Sequence, residues 1–379
     1  MLRRCKVYEI KKVSKKKDLK KFIKMAWKIY ENIPQWVPPL IIDQLELLSW
    51  DKHPFHKHAE VEYFIAYKNG EPVGRIAGIV NHIHNEYHNE KTGFFGFFEC
   101  INNQDVANLL FDSAKDFLKE KGMERMRGPM NFSTNEDCGL LIEGFEHPPV
   151  IMMPYNPEYY IGLFEKYGLT KIKELYAWRI TKDEVSSEKM RLMERIIREL
   201  SNDERVKMRS VNMKDFENEV ERIKMIYNDA WSNNWGFVPF TDEEFYHLAK
   251  KLKQVVDPRL VFIVELNGEP IGFSLALPDI NKALKKINGR LLPFGIFKLL
   301  MEAKKIKNIR VITMGVRKGF RLRGIDAYFY YSTIKKGIEC GYDEAEMSWI
   351  LEDNAPMNRL LEHLGAKIYK KYGIYEKAI

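Results

Sequence analysis

The chain has few cysteines, no long apolar run and no metal-binding pattern, and each shortage removes a class of protein. Four cysteines serve 379 residues, and Cys5, Cys100, Cys138 and Cys340 stand far apart. No pair has metal-knuckle spacing, and a chain this long does not need disulfide staples. A reduced, cytoplasmic protein is the expectation. The most apolar stretch, around Leu291–Met301, is too short and too interrupted to span a bilayer. The first residues, MLRRCKVYEIKK, lack the apolar centre of a secretory signal. Six of the nine histidines fall between His53 and His88, but none has a diagnostic carboxylate–histidine spacing, and no metal is expected. His82 and His84, two apart, would share one face of a strand and line a polar groove or pair with backbone groups.

Positive charge is in excess, at a formal +8. Much of it sits in the first 28 residues, where Lys15, Lys16, Lys17, Lys20, Lys21, Lys24 and Lys28 cluster. A solvated helix face accounts for this pattern. An anionic membrane surface or RNA would also suit it, and charge alone does not separate them. Peripheral membrane contact stays open; nucleic acid is not expected as a partner.

The length implies two domains, and the sequence repeats itself. Asn69-Gly70-Glu71-Pro72-Val73-Gly74 returns as Asn267-Gly268-Glu269-Pro270-Ile271-Gly272, an offset of 198. Lys17-Asp18-Leu19 with Ile29-Tyr30 returns as Lys214-Asp215-Phe216 with Ile226-Tyr227, an offset of 197. Trp36-Val37-Pro38 has an echo in Trp235–Pro239, and Asn156 with Gly168 in Asn354 with Gly365. Four matches in one order mark two copies of one domain. Each copy reads as a strand, then a helix with Asp18 or Asp215 as N-cap. A hairpin turning at Asn-Gly follows. A fourth strand (Gly93–Cys100; Ile309–Val316) precedes a helix ending at Gly122 or Gly341, and a strand, a helix and a last strand complete the copy. The expected boundaries are 1–183, a linker helix over 184–204, and 205–379. Gly122 and Gly341 differ by 219 but Asn156 and Asn354 by 198, so the first copy carries 21 extra residues within Asn131–Pro154. The second copy carries extra sequence through Pro293–Lys307, apolar then basic. A core-packed helix with a lysine-rich outer face, an interfacial helix and an acyl-chain lid are its open readings.

One segment points to chemistry. Arg310–Gly324, RVITMGVRKGFRLRG, runs from a β-branched strand into a basic, glycine-punctuated loop and then a helix, a setting for backbone N–H groups that hold a pyrophosphate. Arg321-Leu322-Arg323-Gly324-Ile325-Asp326 resembles the acyl-CoA signature of the GCN5-related N-acetyltransferase (GNAT) family, Arg/Gln-x-x-Gly-x-Gly/Ala, with Asp326 in the place of the final Gly or Ala. Asn354 through Gly365 resembles the family's closing helix, with Leu361 where the family has its tyrosine acid. The first copy repeats that helix from Asn156 to Gly168 but lacks the basic loop. The tandem layout is similar to mycothiol synthase, protein N-myristoyltransferase and the Fem-type aminoacyltransferases.

The resemblance implies a mixed α/β fold of two tandem domains, each a mostly antiparallel sheet flanked by helices. It also implies one acyl-CoA, bound in the second copy. The donor contacts would come from Met314, Gly315, Val316, Arg321, Leu322, Arg323, Gly324, Ile325, Asp326 and Asn354, with acetyl-CoA or a longer acyl-CoA as donor substrate. A backbone amide near Met314–Val316 would hold the thioester oxygen. With Leu361 in the tyrosine's place, Tyr328, Tyr331, Tyr369 or His363 could protonate the thiolate, or it leaves unaided. Glu346, Glu344 or Glu99 could act as base, and Glu346, Tyr369 and Glu99 are the catalytic candidates. The polar insert and its flank, with Ser133, Asn135, Tyr155, Asn156 and Tyr159, would recognise a small-molecule or lipid amine acceptor; a helix-capping loop is the plain alternative. The function expected is acyl-CoA-dependent N-acyl transfer, acetyl by default. A Fem-like transferase using aminoacyl-tRNA and a non-catalytic acyl-CoA-binding protein stay as alternatives.

Overall fold

A computed structural model describes residues 8–321 and 324–379. In chain order its elements are β1 Tyr8–Lys12, α1 Lys16–Ile29, α2 Ile41–Leu47, β2 Ala59–Lys68, β3 Glu71–Asn81, α3 His82–His88, β4 Thr92–Cys100, α4 Gln104–Glu120, β5 Arg125–Gly128, β6 Leu140–Glu143, α5 Tyr160–Tyr167 and β7 Thr170–Thr181. There follow α6 Ser187–Asn202, β8 Val206–Ser210, α7 Phe216–Trp231, α8 Asp242–Leu252, β9 Val261–Leu266, β10 Glu269–Pro278, α9 Asn281–Lys285, α10 Gly295–Ala303, β11 Asn308–Val316, α11 Ile325–Glu339, β12 Glu344–Leu351, α12 Ala355–Leu364 and β13 Lys367–Ala378. The chain divides into two compact units. The first comprises 1–175, 284–299 and 370–379, the second 176–283 and 300–369. Two segments of the second repeat therefore belong to the first unit.

The first unit orders its strands β1-β2-β3-β4-β5-β13, with β6 also on β13. All pairs are antiparallel except β4 with β5. The Asn69-Gly70 hairpin forms as its sequence predicts, both residues at positive φ (51° and 84°). Helix α4 carries its buried Val106, Ala107, Leu110, Phe111, Ala114, Phe117 and Leu118 at helical spacing and lays them on the sheet. Phe98 stacks on Phe111 at 4.8 Å, and Phe164 meets both edge-on at 5.2 Å. Segment 284–299 is tied in by Trp27 Nε1, which donates to Asn288 Oδ1 at 2.8 Å, and by the Ile41 amide, which donates to the Gly289 carbonyl at 3.1 Å.

The second unit repeats the plan as β7-β12-β11-β10-β9-β8. Asn267-Gly268 turns as Asn69-Gly70 does, at φ 52° and 81°. Helix α11 ends ahead of Gly341 and α4 ahead of Gly122, both left-handed glycines as expected. Helix α6, Ser187–Asn202, is capped by the Ser186 side chain and buries Met193 and Ile197 in the core of the second unit.

Two local expectations are corrected. Asp18 lies inside the first turn of α1, paired with Lys21 at 3.0 Å, while Lys15 holds the N-cap position without a side-chain bond. Asp215 does stand at the N-cap of α7, but its carboxylate goes to Asn218 and Arg222. Both carboxylates still favour the positive end of the helix dipole. His82 and His84 also do not share a strand face. Strand β3 ends at Asn81, whose side-chain oxygen caps α3 by accepting from the His84 amide at 3.1 Å. On that helix His82 turns outward to Glu60 (3.2 Å) and His84 is buried.

Candidate active site

In the second unit, the parallel ladder between β11 and β12 covers only Asn308–Val311 and Glu344–Met347. Both strands then run on, to Val316 and Leu351, beyond the ladder. On its other edge β11 carries a bulge: Leu275 pairs with Thr313 and Ala276 with Val311, so Ile312 is the extra residue. Met314, Gly315 and Val316 follow the bulge. Gly315 lies against Trp231, where a Cβ would meet the indole at 2.2 Å. The loop after Val316 closes on Gly324, left-handed (φ 77°) at the N-cap of α11. Ile325 is buried beside Val316 and Phe329, and Asp326 sits in the first turn. Arg321 folds back on the Val316 carbonyl (3.3 Å), and Arg317 pairs with Glu269. The Lys318 amide donates to Asp229 Oδ2 at 2.7 Å. Leu322 and Arg323 lie outside the described residues. Asn354 caps α12 by accepting from the Met357 amide at 3.4 Å.

A buried polar cluster lies where the ladder ends. Arg310 Nε donates to Ser348 Oγ at 3.0 Å and its Nη2 to the Ser348 carbonyl at 2.9 Å. The Ser348 and Tyr369 hydroxyls both donate to the Glu346 carboxylate. Arg310, Glu346 and Ser348 are buried, whereas Tyr369 is half-buried. Alternation along β12 gives the reason: Glu346 and Ser348 share one face, and Met347 points to the other.

On that other face is an apolar pocket with an enclosed volume of about 70 Å³, opening to solvent. Val311, Met314 and Met347 come from the strands, Tyr330, Thr333 and Gly337 from α11, and Leu361 from α12. The α11 residues recur at the spacing of one helix face, a pattern that a stripe on a packed core would share. Leu361, where the family resemblance expects a tyrosine, is a wall of this pocket. Tyr330 reaches α12 through a contact of its hydroxyl with Met357 Sδ, and burial pushes that phenol's pKa up.

The first unit has the corresponding fork, and its own chain fills it. Strands β4 and β5 pair only from Thr92–Phe94 to Arg125–Arg127. Beyond, the Met130 amide donates to the Phe95 carbonyl at 2.8 Å, and Asn131 Oδ1 accepts from the Phe97 amide at 2.8 Å. Phe97 is the bulge residue there, at φ 51°. The start of the 21-residue insert thus supplies a carbonyl to the amide that the bulge turns out of the ladder.

A protein described as "Bacterial ceramide synthase" from Caulobacter vibrioides is 36% identical over 369 residues, 96% of this chain and 95% of that protein. Protein YghO of Escherichia coli is also 36% identical, over 372 residues, 96% and 94% of the two chains. The chain belongs to their family. No protein-family model matches it. Its fold is that of tandem GNAT proteins: a tandem GNAT protein from the clavulanic acid biosynthesis pathway superposes with a TM-score of 0.59 over 98% of both chains, at 9% identity. This family member is an acyltransferase with two GNAT-like units.

Among the sequence-derived candidates, the structure brings Glu346 and Tyr369 into direct contact. Glu99 lies in the first unit in a network of its own. It receives the Tyr160 hydroxyl at 2.8 Å and faces Arg75 Nη2 at 3.5 Å, and burial raises its pKa against the pull of Arg75. Asn156 is buried and grips Leu141, accepting from its amide at 2.7 Å and donating to its carbonyl at 3.1 Å. Tyr155 donates to the Phe145 carbonyl (2.8 Å) and Tyr159 to the Cys100 carbonyl (2.7 Å). Ser133 Oγ accepts from the Asn135 amide at 3.1 Å. Glu99, Ser133, Asn135, Tyr155, Asn156 and Tyr159 all lie in the first unit. Among the described residues no three His, Cys, Asp or Glu gather as a metal site.

The histidine-rich region predicts a pH dependence. His56 packs on Phe132 at 5.2 Å and His84 on Phe94 at 4.7 Å, and burial pushes each imidazole down to about 4 from 6.5. The unfolded chain takes up these protons first as pH falls. Stability present above pH 6.5 is therefore lost toward pH 4, by roughly 2 kcal/mol per histidine at pH 5. Urea unfolding at pH 7 and pH 5 measures the loss, and the double variant His56→Gln, His84→Gln should flatten it. An equally steep fall in that variant would refute the assignment.

Proposed function

We propose that the chain transfers a long acyl group from acyl-CoA to the amine of a lipid-type acceptor, with the chemistry in the second repeat, 205–379. The apolar pocket carries this reading. It opens beside the fork of β11 and β12, on the face of α11 and α12, and offers almost no polar surface to a bound chain. A ceramide is a fatty amide of a long-chain amino alcohol, so the name of the Caulobacter relative agrees with a buried acyl chain and an amine acceptor.

The donor's pyrophosphate would lie at Gly324 and the first turn of α11, where free N–H groups face outward. Arg317 and Arg321 would exchange their internal partners for phosphate oxygens. An amide of the Ile312–Val316 segment would take the thioester oxygen. The half-buried Tyr369 hydroxyl connects the buried Glu346 carboxylate to the acceptor. As the C–N bond forms, the amine proton passes to the Tyr369 oxygen while the Tyr369 proton passes to Glu346. The C–S bond then breaks, and the electron pair leaves on sulfur as a thiolate, a group stable enough near neutral pH to depart without a tyrosine at position 361.

Calorimetric titration with acetyl-CoA and palmitoyl-CoA, the latter below its micelle concentration, tests the reading. Burial of five methylenes at about 0.8 kcal/mol each should make palmitoyl-CoA bind roughly 10³-fold more tightly. Gly337 gives the sharper check. A Cβ there meets only Ile309, at an ordinary 3.6 Å, so a larger side chain would grow into the pocket. Gly337→Leu should weaken palmitoyl-CoA about tenfold or more and leave acetyl-CoA unchanged. Equal loss for both donors would remove the chain from this pocket, and no binding of either would sink the acyl-CoA reading.

A further inference from the structure

The apolar face of α10 points outward. Ile296, Phe297, Leu300 and Met301 occupy one side of the helix, and Leu292 and Phe294 precede it. Their exposure runs from 44% at Ile296 to 80% at Leu292. The partly covered residues of the helix are Gly295, Leu299, Glu302 and Ala303. A helix that only packs on a core shows the opposite arrangement, with large side chains in and polar ones out. Four neighbouring large side chains on a single exposed stripe form an interaction surface rather than scattered surface residues.

Charge identifies the partner. From Lys282 to Lys307 the sequence holds eight basic residues and one acidic residue. The acid, Glu302, is paired with Lys305 at 2.8 Å. Lys282, Lys286, Arg290, Lys298 and Lys304 are exposed on both sides of the apolar stripe in sequence. A protein partner needs a matched polar rim; an apolar stripe bordered by cations of one sign suits a plane of anionic headgroups above acyl chains. Helix α10 has nine residues, so it can lie in that plane but not cross it.

We infer that α10 and the preceding Leu292–Phe294 segment insert into the surface of an anionic bilayer, with the flanking lysines on the headgroups. This docking does not depend on which acyl group or amine the enzyme accepts.

Flotation of the full chain with vesicles tests it. Binding to phosphatidylcholine vesicles containing phosphatidylglycerol should exceed binding to pure phosphatidylcholine at least tenfold and weaken with salt. The variant Phe294→Ser, Phe297→Ser, Leu300→Ser should lose at least tenfold of that binding while its thermal unfolding stays unchanged, because none of the three is buried. Phe297→Trp in the otherwise intact chain should show a blue-shifted emission increment, over the parent's own tryptophan signal, on the anionic vesicles alone. Failure to bind either vesicle would overturn the inference. So would binding that survives the triple substitution, since the lysine-rich first helix would then be the anchor. A dimer in sedimentation that vesicles do not dissociate and the triple variant abolishes would assign the face to a second copy instead.

Discussion

Glu346→Gln will leave acyl-CoA affinity intact and lower kcat by about 10²–10⁴-fold, the usual range for removal of a positioned proton acceptor. Glutamine keeps the size of the side chain; its one carbonyl oxygen can accept from one of the two hydroxyls that reach separate oxygens of the carboxylate, and its NH2 can donate to the other. What disappears is a group able to hold the proton. Tyr369→Phe should fall by a similar factor, and the double variant by little more than either, as the proposed relay requires. Single-turnover kinetics separates this role from a structural one. With acyl-CoA bound, the acyl-transfer step itself should slow in Glu346→Gln while thermal unfolding stays unchanged. A loss of activity that only follows a loss of stability would make the Arg310–Ser348–Glu346–Tyr369 cluster a support for β12 and leave the base to be found elsewhere.

The second large effect concerns stability. Arg75→Ala should cost about 3–5 kcal/mol at neutral pH, the range for stranding one member of a buried ion pair. The Arg75 guanidinium donates to the Phe22 carbonyl at 2.8 Å, stacks over the Phe22 ring at 4.9 Å and faces Glu99. Without it, Glu99 is left with phenol donors alone. Its pKa is already raised by burial, and the lost arginine would raise it further. A carboxyl with a raised folded pKa is least costly below its unfolded pKa and most costly above its folded one. The deficit should therefore shrink as pH falls toward about 4, near the ordinary glutamate value. Urea midpoints at pH 7 and pH 4.5 for parent and variant give the comparison. Arg75→Met with Glu99→Leu should recover most of the loss. A deficit independent of pH would mean that only packing on Phe22 was removed.

What the sequence revealed and what it hid divide by range. The repeat, both Asn-Gly hairpins, the glycine stops after α4 and α11 and the fourth strands were legible, because turn residues, caps and alternation act over a few residues. Asp18 was misplaced because an acid in the first turn and an acid at the cap leave the same mark at single-residue resolution. The histidines were read on a strand because nothing in the pattern announced that Asn81 would end it. The Glu346–Tyr369 contact depends on two strands meeting in space, so sequence could name both residues but not join them. For the same reason the filling of the first fork by Asn131 could not be read: an asparagine in a polar loop does not say which amide it will meet. The pocket was hidden differently. Tyr330, Thr333 and Gly337 had the right spacing, yet a helix stripe facing a cavity and one facing a packed core look alike in one dimension.

The first unit's sheet contains a partner that is made late. Strand β5 pairs through Arg125–Gly128, and its neighbour is β13, at Tyr375–Ala378. Domains emerging from a ribosome generally fold in order of synthesis. Here the amino-terminal half cannot close its sheet until translation has passed Ala378, and until then β5 and β6 wait with an open edge. A fragment cut at the repeat boundary would keep that edge permanently and recruit strands from its neighbours. The copy that is made first is thus the one whose sheet is completed last.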